Sequence, residues 1–504
     1  MKPPFQKVLV ANRGEIAIRV LRALREEGIA SVAVFSEADR ASLHLRFADE
    51  AVCVGPPPSR ESYLNADAIL EAARQRGAEA IHPGYGFLSE NAEFARSCEG
   101  SGIVFIGPSA ETIALMGNKL SARETAQRAG VPIIPGSPGP VKDGAEARRF
   151  ARDIGYPIML KAAAGGGGKG MRVVRTDQEL ERGLELTRGE AGSSFGDDTL
   201  YLEKFIEQPR HIEIQVMGDD AGNAVHLGER ECSLQRRHQK VVEEAPSVAV
   251  DPERRASMGQ AAVELARSVR YRNAGTVEFV ADPEGNFYFL EMNTRLQVEH
   301  PVTELVYGVD LVREQLRVAA GGLVSWNQAD LVPKGWAIEC RIYAEDPYND
   351  FLPSLGTISR LRLPSGPGVR NDTGIFQGYE VPRYYDPMLG KLIVHASDRE
   401  TARRRMLRAL REMLVEGVRT NIAFHRWVLN REEFIQGAID TGFIERVFHG
   451  VERREDPNRE QAAIIAAVIG AHEEARRLRP AGRQGGSIDP WRLLGRPGAS
   501  PRDR

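Results

Sequence analysis

The sequence predicts an α/β protein of a few domains, α+β in its C-terminal part, and three observations carry that prediction. Over residues 1–115, short apolar strand patterns alternate with helical ones, as in an open parallel sheet with crossover helices. Between 116 and 205, a smaller unit holds a run of glycines between two strand patterns. From 206 to 450 strands dominate first, and an arginine-rich helix at 400–414 follows them. At 504 residues the chain is long enough to bury several cores.

Taken in order, "KVLVA" reads as a short buried strand and "NRGE" as a turn, with Ile16, Val20, Leu21 and Leu24 then at helical spacing. "SVAVF" is a second strand, and a helix carrying Ala66, Ile69, Leu70 and Ala73 leads to "AIHPGYG". The first strand–helix turn has no GxGxxG, so it gives no support to a dinucleotide site. The Gly- and Pro-rich "GVPIIPGSPGPV" marks entry into the smaller unit. After about 450 the text turns to Arg, Ala, Gly and Pro; 453–478 reads as one helix with Ile464, Ile465, Val468 and Ile469 on one side, and the rest as flexible or ordered by a partner.

Sixty-seven Lys and Arg against 70 Asp and Glu leave a net charge of -3, and the segment 451–504 has 11 basic against 8 acidic residues. Neither balance favours nucleic acid or an anionic membrane as partner. Cys53, Cys98, Cys232 and Cys340 lie far apart with no CxxC pair, which suits reduced thiols better than a disulfide framework or a thiolate zinc site. The N-terminus meets Arg13 and Glu15 before a secretory core can form, and the longest apolar run, "AAIIAAVIGA", is about half a membrane span. A cytoplasmic protein is expected.

"GGGGKG" at 165–170 satisfies GxGxxG formally but is followed by the β-like "MRVVR", so it reads as strand, loop, strand. Gly165, Gly166, Gly167 and Gly168 carry no Cβ, which lets backbone N–H groups approach phosphate oxygens under a closing loop. Lys161 and Lys169 flank the loop with charge suited to phosphate. A surface hairpin is the bland alternative.

"EMNTRLQVEH" at 291–300 poses a sharper question. In an extended chain Glu291, Asn293, Arg295, Gln297 and Glu299 share one face, with Met292, Leu296 and Val298 on the other. Glu278, on the preceding strand pattern, is placed to face Glu291 across a hairpin. Two carboxylates and an amide oxygen suit Mg²⁺. Arg295 offers a fork for a small oxyanion, Gln297 donates or accepts beside it, and Glu299 is left as a candidate base. A surface salt-bridge ladder is the alternative for this stretch.

With these segments in view, the chain resembles the biotin carboxylases of the ATP-grasp superfamily. The likeness runs from 5 to about 448 through "VLVANRGEIAIRVLRA", "HPGYGFLSEN", "MGNK", "KAAAGGGGKGMRVV", "YLEKFIEQPRHIEIQV", "ERECSLQRRHQKVVEEAP", "FLEMNTRLQVEHPVTE", "ECRIYAEDP" and "YYDPMLGKL", nine segments in order. The resemblance implies a three-part ATP-grasp fold whose middle domain is a lid and whose C-terminal domain contains an antiparallel sheet. It implies domains at 1–115, 116–205 and 206–450, followed by the tail 451–504.

The resemblance also implies residue roles. Lys119 and Lys161 match lysines on the ATP phosphates, Gly165 to Gly168 the lid loop, and Glu203 with Lys204 the adenine hinge. His211 and Gln235 match nucleotide-pocket residues, and His238 and Lys240 a segment lining the active site, with Lys240 counted among the catalytic groups. Glu278, Glu291 and Asn293 match the positions that bind Mg²⁺ or Mn²⁺. Arg295, Gln297 and the backbone of Val298 match the bicarbonate pocket, Glu299 the general base, Arg341 the arginine on the biotin enolate, and Tyr85 a biotin-side residue. The implied partners are a separate biotin carboxyl carrier protein, since no "MKM" attachment signal occurs, carboxyltransferase subunits, and a second copy in a homodimer. Another ATP-grasp ligase, of carboxylate–amine or carbamoyl-phosphate type, would share the phosphate and metal parts. A non-catalytic nucleotide-sensing scaffold is a third reading, against which Glu299 and Arg341 argue.

Overall fold

The computed structural model describes residues 5–162, 171–195, 198–448 and 464–472. The chain divides into two compact units, 1–451 and 452–504. In the second, the described residues 464–472 are helical and exposed, including Ile464, Ile465, Val468 and Ile469. The remainder of the helix expected at 453–478 lies outside the described residues. No helix among the described residues is long and apolar enough to cross a membrane.

The first unit starts with the five-stranded parallel sheet foreseen from the alternating patterns. Its strands β1 (Lys7–Val10), β2 (Ala30–Ser36), β3 (Glu50–Gly55), β4 (Ala80–His82) and β5 (Val104–Phe105) lie in the order β3-β2-β1-β4-β5. Helices α1 (Gly14–Glu26), α2 (Ala66–Gln75) and α3 (Ala92–Gly100) supply the crossovers. Leu9, Val32 and Ile81 are sealed between sheet and helices, each contributing about 1.5–3 kcal/mol by burial.

Helices α4 (Ala110–Gly117) and α5 (Lys119–Arg128) lead out of this sheet. Asn118 caps α5, its side chain accepting from the Leu120 and Ser121 amides at 3.1 and 3.0 Å, which sets Lys119 in the exposed first turn. Beyond α6 (Gly144–Ile154), strands β6 (Ile158–Ala162) and β7 (Met171–Val174) pair antiparallel with Lys161 opposite Met171. The flanks of the glycine run are therefore two hairpin strands, as the β-like text on both sides predicted. Gly165 to Gly168 themselves lie outside the described residues. Helix α7 (Asp177–Phe195) and strand β8 (Leu200–Lys204) complete this module, with β8 on the other edge of β6.

An eight-stranded antiparallel sheet follows. It comprises β9 (Arg210–Gly218), β10 (Ala224–Arg236), β11 (Gln239–Ala245), β12 (Asn273–Ala281), β13 (Phe287–Asn293) and β14 (Trp336–Tyr343), with the strands Met388–Ala396 and Val369–Thr373. The spatial order is β13-β12-β9-β10-β11-β14, then Met388–Ala396 and Val369–Thr373. Helix α8 (Pro252–Ser268) covers β9 and β10, while α9 (His300–Tyr307) lies against β10, β11 and β14. The expected arginine-rich helix is α11 (Arg399–Glu412), after α10 (Leu311–Ala319); its Ala402, Met406 and Leu410 join the core beneath β14. Helix α1 also touches Val369–Thr373, so the N-terminal sheet and the large sheet meet where the site lies.

Candidate active site

The middle strands of the large sheet are buried on both faces: every residue of β9 after Arg210 is buried. Charged side chains placed there must find partners. Arg230 on β10, fully buried, pairs with Glu213 and also donates to Gln215 at 2.7 Å, Thr303 at 3.0 Å and Thr276 at 3.0 Å. Glu213 in turn meets Lys240 of β11.

Lys240 is the centre of the cluster. Its Nζ lies 2.9 Å from Glu278 and 2.8 Å from Glu299 besides its contact with Glu213. Burial disfavours the ammonium, but Glu213, Glu278 and Glu299 outweigh it and hold Lys240 charged, well above the usual lysine range. The balance is reciprocal at Glu299. Burial pushes its carboxyl up, while Lys240, Arg341 and Arg230 together hold it well below the ordinary range.

Glu299 stands at the N-cap of α9 yet makes no capping hydrogen bond. Its second oxygen instead accepts from Arg341 Nη2 at 2.9 Å. Arg341 Nε donates to Glu243, directly across from Glu339 in the β11–β14 register. Asn421 and His425 fix the arginine's backbone by bonding its carbonyl at 2.9 and 2.7 Å. Glu243 is pushed up to about 7 by burial, against the pull of Arg341, with Glu299 adding to the rise.

The hairpin β12–β13 brings Glu278 directly opposite Glu291, as the sequence reading required. Strand β13 ends at Asn293, however, so 291–299 is not one continuous strand. The polar side chains are gathered by hydrogen bonds instead. Arg295 donates to Asn293 Oδ1 at 3.0 Å and to Gln297 Oε1 at 2.6 Å, and Glu90 holds its Nε at 2.7 Å. Asn293 and Gln297 each donate to Glu278 Oε1, at 2.8 and 3.0 Å. Met292 and Leu296 enter the core as expected, but Val298, expected with them, lines the cleft because the turn after Asn293 breaks the alternation.

That cleft has a volume of about 820 Å³. Of the residues singled out from sequence, it is lined by Tyr85, His211, Gln235, His238, Lys240, Glu278, Glu291, Asn293, Arg295, Gln297, Val298 and Arg341. Glu299 lies fully buried behind Lys240 and Arg341. Lys119, Lys161, Glu203 and Lys204 do not line this cleft. Lys161 pairs with Glu203, which also binds Arg123 at 2.8 Å, and Lys204 Nζ donates to the Gly155 and Tyr156 carbonyls at 2.9 Å each. Tyr85 donates to Glu15, which also lines the cleft. His238, with Arg237, forms the two-residue tip between β10 and β11, and both have left-handed φ values, 65° and 50°.

A divalent cation fits Glu278 and Glu291. Burial and then the facing Glu278 push the Glu291 carboxyl up, and among the described residues no hydrogen bond or ion pair reaches it. Two compact donor groups, His211–Glu213–Glu278 and Glu213–Cys232–Glu299, are less suitable. Glu213 and Glu299 in these groups are already neutralised by Arg230, Lys240 and Arg341, and thiol and imidazole are poor partners for Mg²⁺.

Sequence reasoning missed Glu90, Glu213, Arg230, Glu243 and Lys391. Glu213 had a signal, a carboxylate inside the apolar run "HIEIQV", and so did Glu243 in "KVVEEA". The partner of each was not readable from spacing.

Comparison with known proteins decides the family. Residues 4–113 match the biotin carboxylase N-terminal domain, 118–325 the ATP-binding domain of the carbamoyl-phosphate synthase L chain, and 339–446 the biotin carboxylase C-terminal domain. A biotin carboxylase of Nostoc sp. is 55% identical over 443 residues, 88% of this chain and 99% of that protein. The chain belongs to the biotin carboxylase family. It is a ligase of the biotin carboxylase type, using ATP and bicarbonate. The human mitochondrial propionyl-CoA carboxylase alpha chain is 56% identical over 88% of this chain, which spans 61% of that longer protein. Among solved structures, the biotin carboxylase domain of the Hydrogenobacter thermophilus 2-oxoglutarate carboxylase, in complex with MgADP, ADP and bicarbonate, is 51% identical. It superimposes with a TM-score of 0.80, over 88% of this chain and 97% of that one. The three-part ATP-grasp architecture of the family is the fold described above.

Proposed function

We propose that the cleft carboxylates biotin borne on a carrier protein, with bicarbonate as carbon source, through carboxyphosphate. The observation that supports this most is Glu299, held between Lys240 and Arg341 beside the Arg295–Gln297 pair. In this reading Arg295, Gln297 and the Val298 backbone hold bicarbonate, and Glu299 takes its proton as the bicarbonate oxygen attacks the γ-phosphorus of ATP. Glu299 is a weak base while both cations hold it. When Arg341 turns toward the ureido oxygen of biotin, the carboxylate regains basicity. Carboxyphosphate yields CO₂ and phosphate, the phosphate takes the ureido N–H proton, the guanidinium meets the negative charge that develops on the oxygen, and the ureido nitrogen takes up the CO₂.

Glu278, Glu291 and Asn293 are the residues that would hold Mg²⁺ or Mn²⁺, which neutralises charge on the phosphates. Lys119 and Lys161 serve the phosphates, Glu203, Lys204, His211 and Gln235 the rest of the nucleotide, and residues 116–205 the cover. Tyr85, Tyr343, Tyr384 and Met388 line one end of the cleft and give a fused ring and aliphatic chain an apolar surface. The acceptor chain, a carboxyltransferase and a second copy of this chain are the proposed partners.

The test is ADP release with and without free biotin. Bicarbonate-dependent hydrolysis that rises with biotin supports the proposal. Hydrolysis indifferent to biotin but stimulated by ammonia or an amine assigns the cleft to a carbamoyl-phosphate or carboxylate–amine reaction.

A further inference from the structure

One fully buried cation has no part in the scheme above. Lys391, on the strand Met388–Ala396, sits opposite Arg341 in the β14 register and is almost wholly screened from solvent. Its Nζ donates to the Val298 carbonyl at 2.6 Å and lies 3.1 Å from Glu15 Oε1. It also stands 5.8 Å from the centre of the Tyr85 ring, whose hydroxyl bonds the same Glu15. Three segments distant in sequence thus converge on one ammonium: the α1 start, the loop after β4, and the turn that carries Arg295 and Gln297.

A buried lysine is costly unless its charge does something. Its acidic neighbours are themselves under strain from burial. Burial pushes the Glu15 carboxyl up despite Lys391, and one Glu15 oxygen has no hydrogen-bond partner. Glu339, the other nearby carboxylate, has neither oxygen bonded, and burial pushes it well above the carboxylate range. Asp372 is already engaged by Arg370 at 2.7 Å, and His300 is kept neutral by burial and by Lys391, Arg19 and Arg370. Glu15, Glu339 and Asp372 together hold Lys391 charged against burial, so an ammonium stands within hydrogen-bond distance of the Val298 carbonyl.

We infer that Lys391 is a positioning residue for the anion pocket: by gripping the Val298 carbonyl it fixes the backbone of that residue so that the Val298 N–H, on the preceding peptide, and the adjoining Gln297 and Arg295 face bicarbonate. It touches no reacting atom. A carbonyl that accepts from an ammonium also polarises its neighbouring peptide, which strengthens the donors of the turn. The inference rests on the bicarbonate reading of Arg295, Gln297 and Val298.

The experiment compares Lys391→Met, Lys391→Arg and the double variant Lys391→Met/Glu15→Gln with Arg295→Ala, reading KM for bicarbonate, KM for ATP and kcat. The double variant does not leave Glu15 behind as a carboxylate without its cation, and keeps the test alive should Lys391→Met fail to fold. Expected is a rise of about tenfold or more in bicarbonate KM in Lys391→Met and in the double variant, with ATP KM within about twofold and partial recovery in Lys391→Arg. A merely structural lysine would shift both KM values together or neither. An unchanged bicarbonate KM in Arg295→Ala overturns the pocket reading, and this inference with it. A raised KM there, with wild-type bicarbonate KM in the double variant, overturns the inference alone, because the ammonium would then serve only to neutralise Glu15.

Discussion

Replacing Glu299 by Gln removes one negative charge from a fully buried position while keeping its volume. The carboxylate now accepts from Lys240 at 2.8 Å and from Arg341 at 2.9 Å. A glutamine amide has one acceptor oxygen and an NH₂ that only donates, so one of the two cations must face a donor. That mismatch costs about 1–3 kcal/mol. Lys240 keeps Glu213 and Glu278, and Arg341 keeps Glu243, so the variant should fold. Loss of the proton acceptor should slow carboxylation roughly 10²- to 10⁴-fold, equivalent to about 3–5 kcal/mol in the barrier. Initial rates of ADP release at saturating ATP, with bicarbonate and free biotin, measure this directly. ATP KM should move by less than about threefold, because among the described residues the Glu299 carboxylate bonds only the two cations and the Cys232 thiol, the last at 4.0 Å. A folded Glu299→Gln protein that turns over within about tenfold of the wild type would refute base catalysis by this residue.

Glu243 gives a pH-dependent signature. Its folded carboxyl is raised from 4.5 to about 7, so the stabilisation it supplies is complete below about pH 4.5 and is lost as pH climbs to about 7. Urea midpoints of Glu243→Gln relative to the wild type should therefore improve with pH across that window, and a constant difference would show that Glu243 is ionised throughout. For the metal, Glu291→Gln should weaken Mg²⁺ activation about tenfold or more, since it removes one of two facing carboxylates, while calorimetric binding of Mn²⁺ alone should weaken in parallel. Chelation should abolish ADP release from the wild type and Mn²⁺ restore it; activity that survives EDTA would count against the site.

Much of this was legible because the decisive contacts are short-range in strand geometry. Glu278 faces Glu291 because a hairpin fixes its own register, and the β6 and β7 flanks of the glycine run declare themselves by composition. The alternation rule failed at Val298, where the chain leaves β13 and turns toward α9. Less legible still were Glu213, Glu243 and Lys391. Period-2 patterning finds a half-buried strand, but strands covered on both faces give no polar side to read. Their partners come from chain positions as remote as Glu15 and Lys391, a pairing that only the assembled sheet creates.

The tip between β10 and β11 carries a broader implication. A hairpin of two left-handed residues is normally the territory of Asn-Gly, yet this one is built from Arg237 and His238. Side chains larger than glycine strain such a backbone by about 1–3 kcal/mol each. The protein has therefore settled for a less robust turn in order to keep an imidazole at the rim of the cleft. Thermostabilising redesign that follows turn statistics alone would select against that imidazole first.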